Sequence, residues 1–237
     1  MTQTSPSALA PSIIIAAAAI AAAFIVAGGF KNIFRPERTV SVRGLSEREV
    51  DADLAVWPLT FQLGGNDLAA LQGSIIRATE TVTTYLAGHG LTDADITVQA
   101  PAITDTSMNP YMDAGKQRYT YIAKQVVLVR SSNVAAVKQA QKDSLALAGS
   151  GIAVLQDYSS QISFDFTALN DIKPAMIAEA TASARKAAEQ FAHDSGSRVG
   201  KIKTANQGLF SIENAASGLE ERKTVRVVTT VTYLLDR

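Results

Sequence analysis

Few side chains in this 237-residue chain are equipped to do chemistry. Ser183 and Lys186 stand in the order S-x-x-K, in which a lysine amine activates a serine hydroxyl for acyl transfer. That chemistry needs companion S-D-N and K-T-G strings, and neither occurs. Ser183 instead sits among Ala182, Ala184, Ala187 and Ala188, as on an ordinary amphipathic helix. His89 in GHG and His193 in HDSG are the two histidines, and both fall where a helix should end. A cationic imidazole there meets the negative end of the helix dipole, so a structural role is expected for each. Glu47, Glu49, Asp51 and Asp53 surround Arg48. Carboxylates so grouped can hold a hard cation or work as acid and base, but alternation at a strand also produces solvated charges that discourage edge-to-edge aggregation. We read them as edge charges. Gly64-Gly65 and Gly149 to Gly151 lack the G-x-G-x-x-G and G-x-x-x-x-G-K-[ST] orders that cradle phosphate, and read as turns.

Composition narrows the classes further. With 22 Lys+Arg against 22 Asp+Glu the formal charge is zero, which excludes the broad cationic field of a non-specific nucleic-acid binder. The absence of cysteine removes disulfides, thiolate metal sites and cysteine nucleophiles. Two histidines cannot build a multi-histidine metal centre. The expectation is a non-enzyme with no catalytic, cofactor-binding or metal-binding residue and no cofactor.

Lys31 is the first charged residue, and residues 13–30, IIIAAAAIAAAFIVAGGF, run for eighteen positions without a polar side chain. Eighteen residues at roughly 1.5 Å each reach about 27 Å against a hydrocarbon core of about 30 Å, the lower limit for a spanning helix. A retained anchor is expected, because no basic residue precedes the run; a signal peptide cut near Val26 and Gly28, or a buried helix, are the alternatives. The chain then divides into a tail (1–12), a transmembrane helix or signal anchor (13–30), a basic linker (31–38) with Lys31, Arg35 and Arg38, and a domain (39–237).

Within that domain the hydrophobic period changes to two. Val40 and Val42 share a face over 39–43, and Ala55, Trp57, Leu59, Phe61 and Leu63 share one over 53–63. Pro58 cannot donate to a ladder, so this strand should lie at an edge or carry a bulge. Asn66 resembles a helix N-cap, followed by Leu68, Leu71, Ile75, Val82 and Leu86 at helical spacing up to Gly88 and Gly90. Strands are expected over 95–104 and 118–130, a helix over 132–148, and a strand over 161–167. A helix over 172–194 follows, with Pro174 in its first turn, then a strand near 199–210, a polar loop at 213–223 and a closing strand carrying Val225, Val227, Val231, Tyr233 and Leu235. In the connection between 104 and 118, Met108, Tyr111 and Met112, with Tyr119 and Tyr121 just beyond, form either an exposed contact surface or a loop folded onto its own sheet. The order suggests strand–helix–strand–strand written twice, over 53–130 and 161–235, in an α+β fold with helices on antiparallel sheet.

The runs VRGLSEREVDADLAVWPLTF at 42–61, LNDIKP at 169–174, ANQGLFSIE at 205–213 and VRVVTTVTYLL at 225–235 resemble the SIMPL-domain family of bacterial envelope proteins. The resemblance covers about Thr39 to Arg237 and implies an exported or membrane-attached α+β domain, with ring-like or channel-like homo-oligomers among relatives and no catalytic residues to carry over. The basic flank alone would keep the domain in the cytoplasm. The family likeness outweighs it, and a single-pass inner-membrane protein with a periplasmic domain is expected. The expected function is a non-enzymatic homo-oligomeric scaffold, compartment or channel-like assembly, with Trp57 inside the subunit. The alternative is a monomeric or dimeric module presenting a groove between helix and sheet to a peptide or lipid.

Overall fold

The computed structural model describes residues 18–20, 22–23, 37–108 and 118–236. Its backbone is governed by one long extended run that serves two sheets in turn. Strand β1 (Thr39–Asp51) lies in the first sheet, and β2 (Leu54–Gly65) lies in the second after only Ala52 and Asp53. Sheet I has the order β1-β10-β8, with β8 (Arg198–Gln207), β10 (Arg222–Asp236), and β9 (Ser211–Asn214) also paired to β10. Sheet II has the order β3-β5-β2-β6, formed by β3 (Ile96–Val98), β5 (Tyr121–Ser131) and β6 (Val154–Leu155) around β2. Beside β5 also lies β4 (Ala102–Asp105), and beside β2 also lies β7 (Ser163–Asp165). Every pairing is antiparallel.

Helices cover one face of each sheet because their apolar residues recur at three- and four-residue intervals. Helix α1 (Leu68–Gly88) buries Leu71, Ile75, Ala78, Val82 and Leu86 against sheet II, assisted by Val137 and Ala140 of α2 (Val134–Asp143). The alternation of β2 puts Ala55, Trp57, Leu59 and Phe61 into that core, each 2% exposed or less. Each large side chain buried there contributes about 1.5–3 kcal/mol of transfer free energy. Helix α3 (Leu169–Asp194) packs on sheet I differently, through Met176 and then Ala180, Ala184, Ala188 and Ala192, every fourth residue. Such small side chains let the helix backbone descend onto the strand. Gly44 in β1 completes that approach, since a Cβ there would lie 1.8 Å from Ala180 O and 2.4 Å from Ala184 N.

Several local expectations are corrected. Pro58 lies neither at an edge nor opposite a bulge: β2 pairs without interruption with β5 through Pro58↔Leu128, and its other neighbour is split into β7 and β6. The split leaves the proline, which lacks an amide hydrogen, facing a gap in the ladder. Asp67 rather than Asn66 caps α1, its Oδ1 accepting from Ala70 N at 2.7 Å, while Asn66 Oδ1 accepts from Thr120 N at 2.9 Å and fixes the start of β5. The helix expected over 132–148 is α-helical only to Asp143, and residues Ser144–Ser150 tighten to a 3₁₀ helix closed by Gly151 at φ 77°. Helix α3 begins three residues early, so Pro174 lies beyond the first turn.

The strand expected over 161–167 shrinks to β7 and pairs with β2, so it does not open the second sheet. Sheet I takes its leading strand from β1 instead. The strand expected over 95–104 is two, β3 and β4, and the one over 199–210 is followed by β9. Residues 13–30 lie outside the described residues except for Ala18–Ile20, Ala22 and Ala23, which are helical and exposed. Among the described residues no helix is long and apolar enough to cross a membrane.

Because Gly44 admits the backbone of α3, Gly44→Val should destabilise the domain by at least about 1–3 kcal/mol, the range for overpacking a core. Urea unfolding of this variant beside Ser41→Val, an exposed neighbour in the same strand, checks the claim. Equal midpoints would show that α3 does not rely on Gly44.

Candidate functional site

In both sheets the outer strand is broken. Gln99 N donates to Val126 O at 3.0 Å between β3 and β4, and Gly208 N donates to Val228 O at 2.8 Å between β8 and β9. The break in sheet II is stitched by Gln125, a side chain only 2% exposed, whose Nε2 donates to Gln99 O at 2.6 Å and to Val126 O at 3.1 Å. A buried amide left unpaired would cost about 1–3 kcal/mol, so this residue holds the strand where it bends. Beside it a groove of about 540 Å³ opens between α1 and the broken strand. Its apolar walls are Leu68, Ile75 and Ile76 of the helix and Val98, Pro101 and Ile103 of the strand; Glu80 supplies a carboxylate. Leu68, Ile76, Val98 and Ile103 are 46–52% exposed, a concentration of apolar surface of the kind that contact sites carry. The volume lies within the range of about 300–1,000 Å³ typical of ligand sites.

The sequence-derived candidates fall elsewhere and do not converge. His89 ends α1, its Nδ1 3.0 Å from Tyr85 O and its Nε2 3.4 Å from Asp143 Oδ2, with its ring 4.5 Å from that of Tyr85. It joins α1 to the end of α2. Burial and the Asp143 charge push the Tyr85 hydroxyl up, and that hydroxyl donates to Ala140 O at 2.6 Å. His193 ends α3 in the open, 3.4 Å from Asp194. Ser183 and Lys186 lie on the exposed side of α3. Gly64 and Gly65 end β2, where a Cβ on Gly64 would meet the Tyr119 ring at 2.3 Å. Tyr121 packs with Leu71, Ile75 and Ala123, so Tyr119 and Tyr121 fold onto their own sheet, while Met108 is 81% exposed. Tyr111 and Met112 lie outside the described residues. Among the described residues no group of three or more ligating side chains is placed to hold a metal.

The acidic group splits by position. Glu47, Glu49 and Asp51 lie on the exposed outer face of β1, where Glu47 faces Arg226 at 4.0 Å and Asp51 meets Arg222 at 3.2 Å. Arg48 turns to the helix side and pairs with Glu179 of α3, which also accepts from Ser46 Oγ at 2.8 Å. Asp53 is set apart. Its carboxylate accepts from Thr167 N at 2.8 and 3.0 Å, from Ala168 N at 2.8 Å and from Thr167 Oγ1 at 3.0 Å, and so holds the two residues that lead into α3. Burial pushes the Asp53 carboxyl up, but these donors outweigh it and hold it below the usual range. The Arg48 guanidinium does the same for Glu179, and the Lys138 amine for Glu221.

Two broken-edged antiparallel sheets, each under a long helix, thus share one extended run, Thr39–Gly65, interrupted only at Ala52 and Asp53. Residues 40–233 match the family model SIMPL, described as a protein of unknown function (DUF541). The chain belongs to the SIMPL family. No curated protein matches it. The SIMPL match takes in both sheets, the groove and Asp53, and stops three residues before the end of β10.

A groove between helix and sheet was the alternative expectation, but its residues were not singled out, because apart from the Glu80 carboxylate its walls carry no ionisable group. Its signal is Leu68 and Ile76, eight residues apart and off the buried stripe of α1, with Val98 and Ile103 on the bordering strands.

Asp53, Glu179 and Glu221 are all more acidic folded than unfolded. Their stabilisation is therefore complete above the unfolded values of about 3.9 for Asp and 4.3 for Glu, and is lost as pH falls through the lower folded values. The urea midpoint should fall between pH 6 and pH 3, and Asp53→Asn should lessen that fall. An unchanged pH dependence in the variant would remove Asp53 from this account.

Proposed function

We propose that this SIMPL protein is a non-enzymatic, membrane-anchored envelope protein that self-associates into a scaffold, compartment or channel-like shell. Residues 13–30 serve as its single anchor, and the α+β domain lies on the periplasmic side of the inner membrane. The supporting observation is the set of open strand edges. Sheet I ends in β1 on one side and in β8 and β9 on the other, and the broken strand β3–β4 closes one side of sheet II. Open edges carry unpaired backbone donors and acceptors that another chain can use. The edges are unlike one another, and contact between unlike surfaces closes into a ring when the rotation per subunit allows it.

The two sheets also support descent from one repeated unit. Each has a leading strand, a helix, an outer strand broken at a backbone bond to a valine carbonyl, and a closing strand between the other two. In this reading the copy in sheet II is inserted between β1 and α3 of the copy in sheet I.

The groove beside α1 favours a second reading, a monomeric or dimeric module that takes a peptide or lipid there. Sedimentation of the full-length, detergent-solubilised protein at micromolar concentration separates the two. The scaffold reading expects an assembly of more than two subunits. A monomer or dimer would contradict it.

A further inference from the structure

Sheet I fills the space that sheet II leaves open. Gly208 and Gln99 hold equivalent positions, each donating its amide to the valine carbonyl of the closing strand. Two residues further on, sheet I carries Phe210 and sheet II carries Pro101. Phe210 packs into the cluster around Met176 and Val225 beneath the first turns of α3, with the Lys173 amine 5.9 Å from its ring centroid. Pro101 cannot reach across in the same way, and the corresponding space under α1 is the groove of about 540 Å³. The slot therefore lies where sheet I seats Phe210, and it has room for an apolar side chain that its own sheet does not supply.

We infer that the groove receives Leu209 from the broken outer strand of a second copy of this chain, an inference that rests on the self-association reading. Leu209 stands at the break between β8 and β9 and is 96% exposed, the most exposed large apolar side chain among the described residues. Charge favours the same pairing. Residues 91–105, which carry the groove's strand wall, include Asp93, Asp95 and Asp105 and no Lys or Arg, and Glu80 stands on the helix wall. The strand that bears Leu209 carries Arg198, Lys201 and Lys203 against Glu213 alone, with Lys203 also paired to Glu37 at 2.6 Å. Opposite charge around an apolar knob and its slot fixes register and suppresses wrong partners. Knob and slot lie on different sheets of one chain, so each copy offers one of each and the contact repeats from copy to copy.

The chain has no cysteine, so single introduced thiols report the contact cleanly. Full-length Ile103→Cys and Leu209→Cys variants are mixed in detergent and mildly oxidised; a disulfide needs Cα atoms within about 7 Å. The inference expects a 103–209 heterodimer. It also expects Leu209→Asp to weaken assembly by about tenfold or more, the effect of losing a buried anchor. Pro101→Phe, which gives sheet II the residue that sheet I carries at 210, should weaken assembly as well. Large assemblies that form normally in Leu209→Asp, with no 103–209 crosslink, would overturn the groove contact and leave self-association standing. A wild-type monomer would overturn both.

Discussion

The rest of the structure depends on how one extended segment is allowed to serve two sheets. Between β1 and β2 there are only two residues, and both are tied down: Ala52 N donates to Glu221 O at 2.8 Å and Asp53 N to Asp165 O at 3.0 Å. The Asp53 side chain then receives the amides that open α3. The two backbone bonds hold the chain where it leaves sheet I and enters sheet II, and the Asp53 carboxylate ties that crossing to the residues that lead into the helix covering sheet I. A charge-assisted hydrogen bond from a backbone amide is about twice as strong as a neutral one, and Asp53 accepts several. The Lys138–Glu221 ion pair ties α2 of sheet II to the residue before β10 of sheet I and supports the same crossing.

With the crossing fixed, the two sheets solve the same packing problem by different means. Sheet II fills its core with Trp57, Leu59, Phe61, Val82 and Leu86, so its helix rides on large side chains. Sheet I uses an alanine stripe and Gly44, and its helix lies against the strand backbone. The difference reaches the outer strands, where Phe210 closes one sheet and Pro101 leaves the other open. The exposed apolar surface beside α1 lies on that open side, and the proposal that another chain covers it rests there.

Much of the architecture was legible in the sequence, because period-two and helical patterns depend on local burial. The stripe from Ala55 to Phe61, the stripe from Leu71 to Leu86 and the closing valines of β10 were all readable in this way. The resemblance at 42–61 and 225–235 marked the family. What was not legible depends on partners distant in sequence. Nothing near Pro58 says that β2 has a split neighbour, and nothing near Thr167 says that its amide is received by Asp53. The early start of α3 therefore escaped, as did the transfer of the leading strand of sheet I from 161–167 to β1. Asp53 was legible as part of an acidic group, but its hold on the lead-in to α3 requires knowing what lies 114 residues downstream. The groove escaped for another reason: apolar residues beside a buried stripe look like a broader buried stripe until the opposing strand is seen to bend away.

The central claim is that Asp53 couples the two sheets into one cooperative unit, and native-state hydrogen exchange on Asp53→Ala tests it most directly. In the wild type, the slowest amides of β10 and β5 should open at one common free energy, as residues of a single unfolding unit do. In the variant, the amides of α3 and β10 should open at a lower free energy than those of β5. If β10 and β5 still opened together in Asp53→Ala, the crossing would not be what joins the sheets.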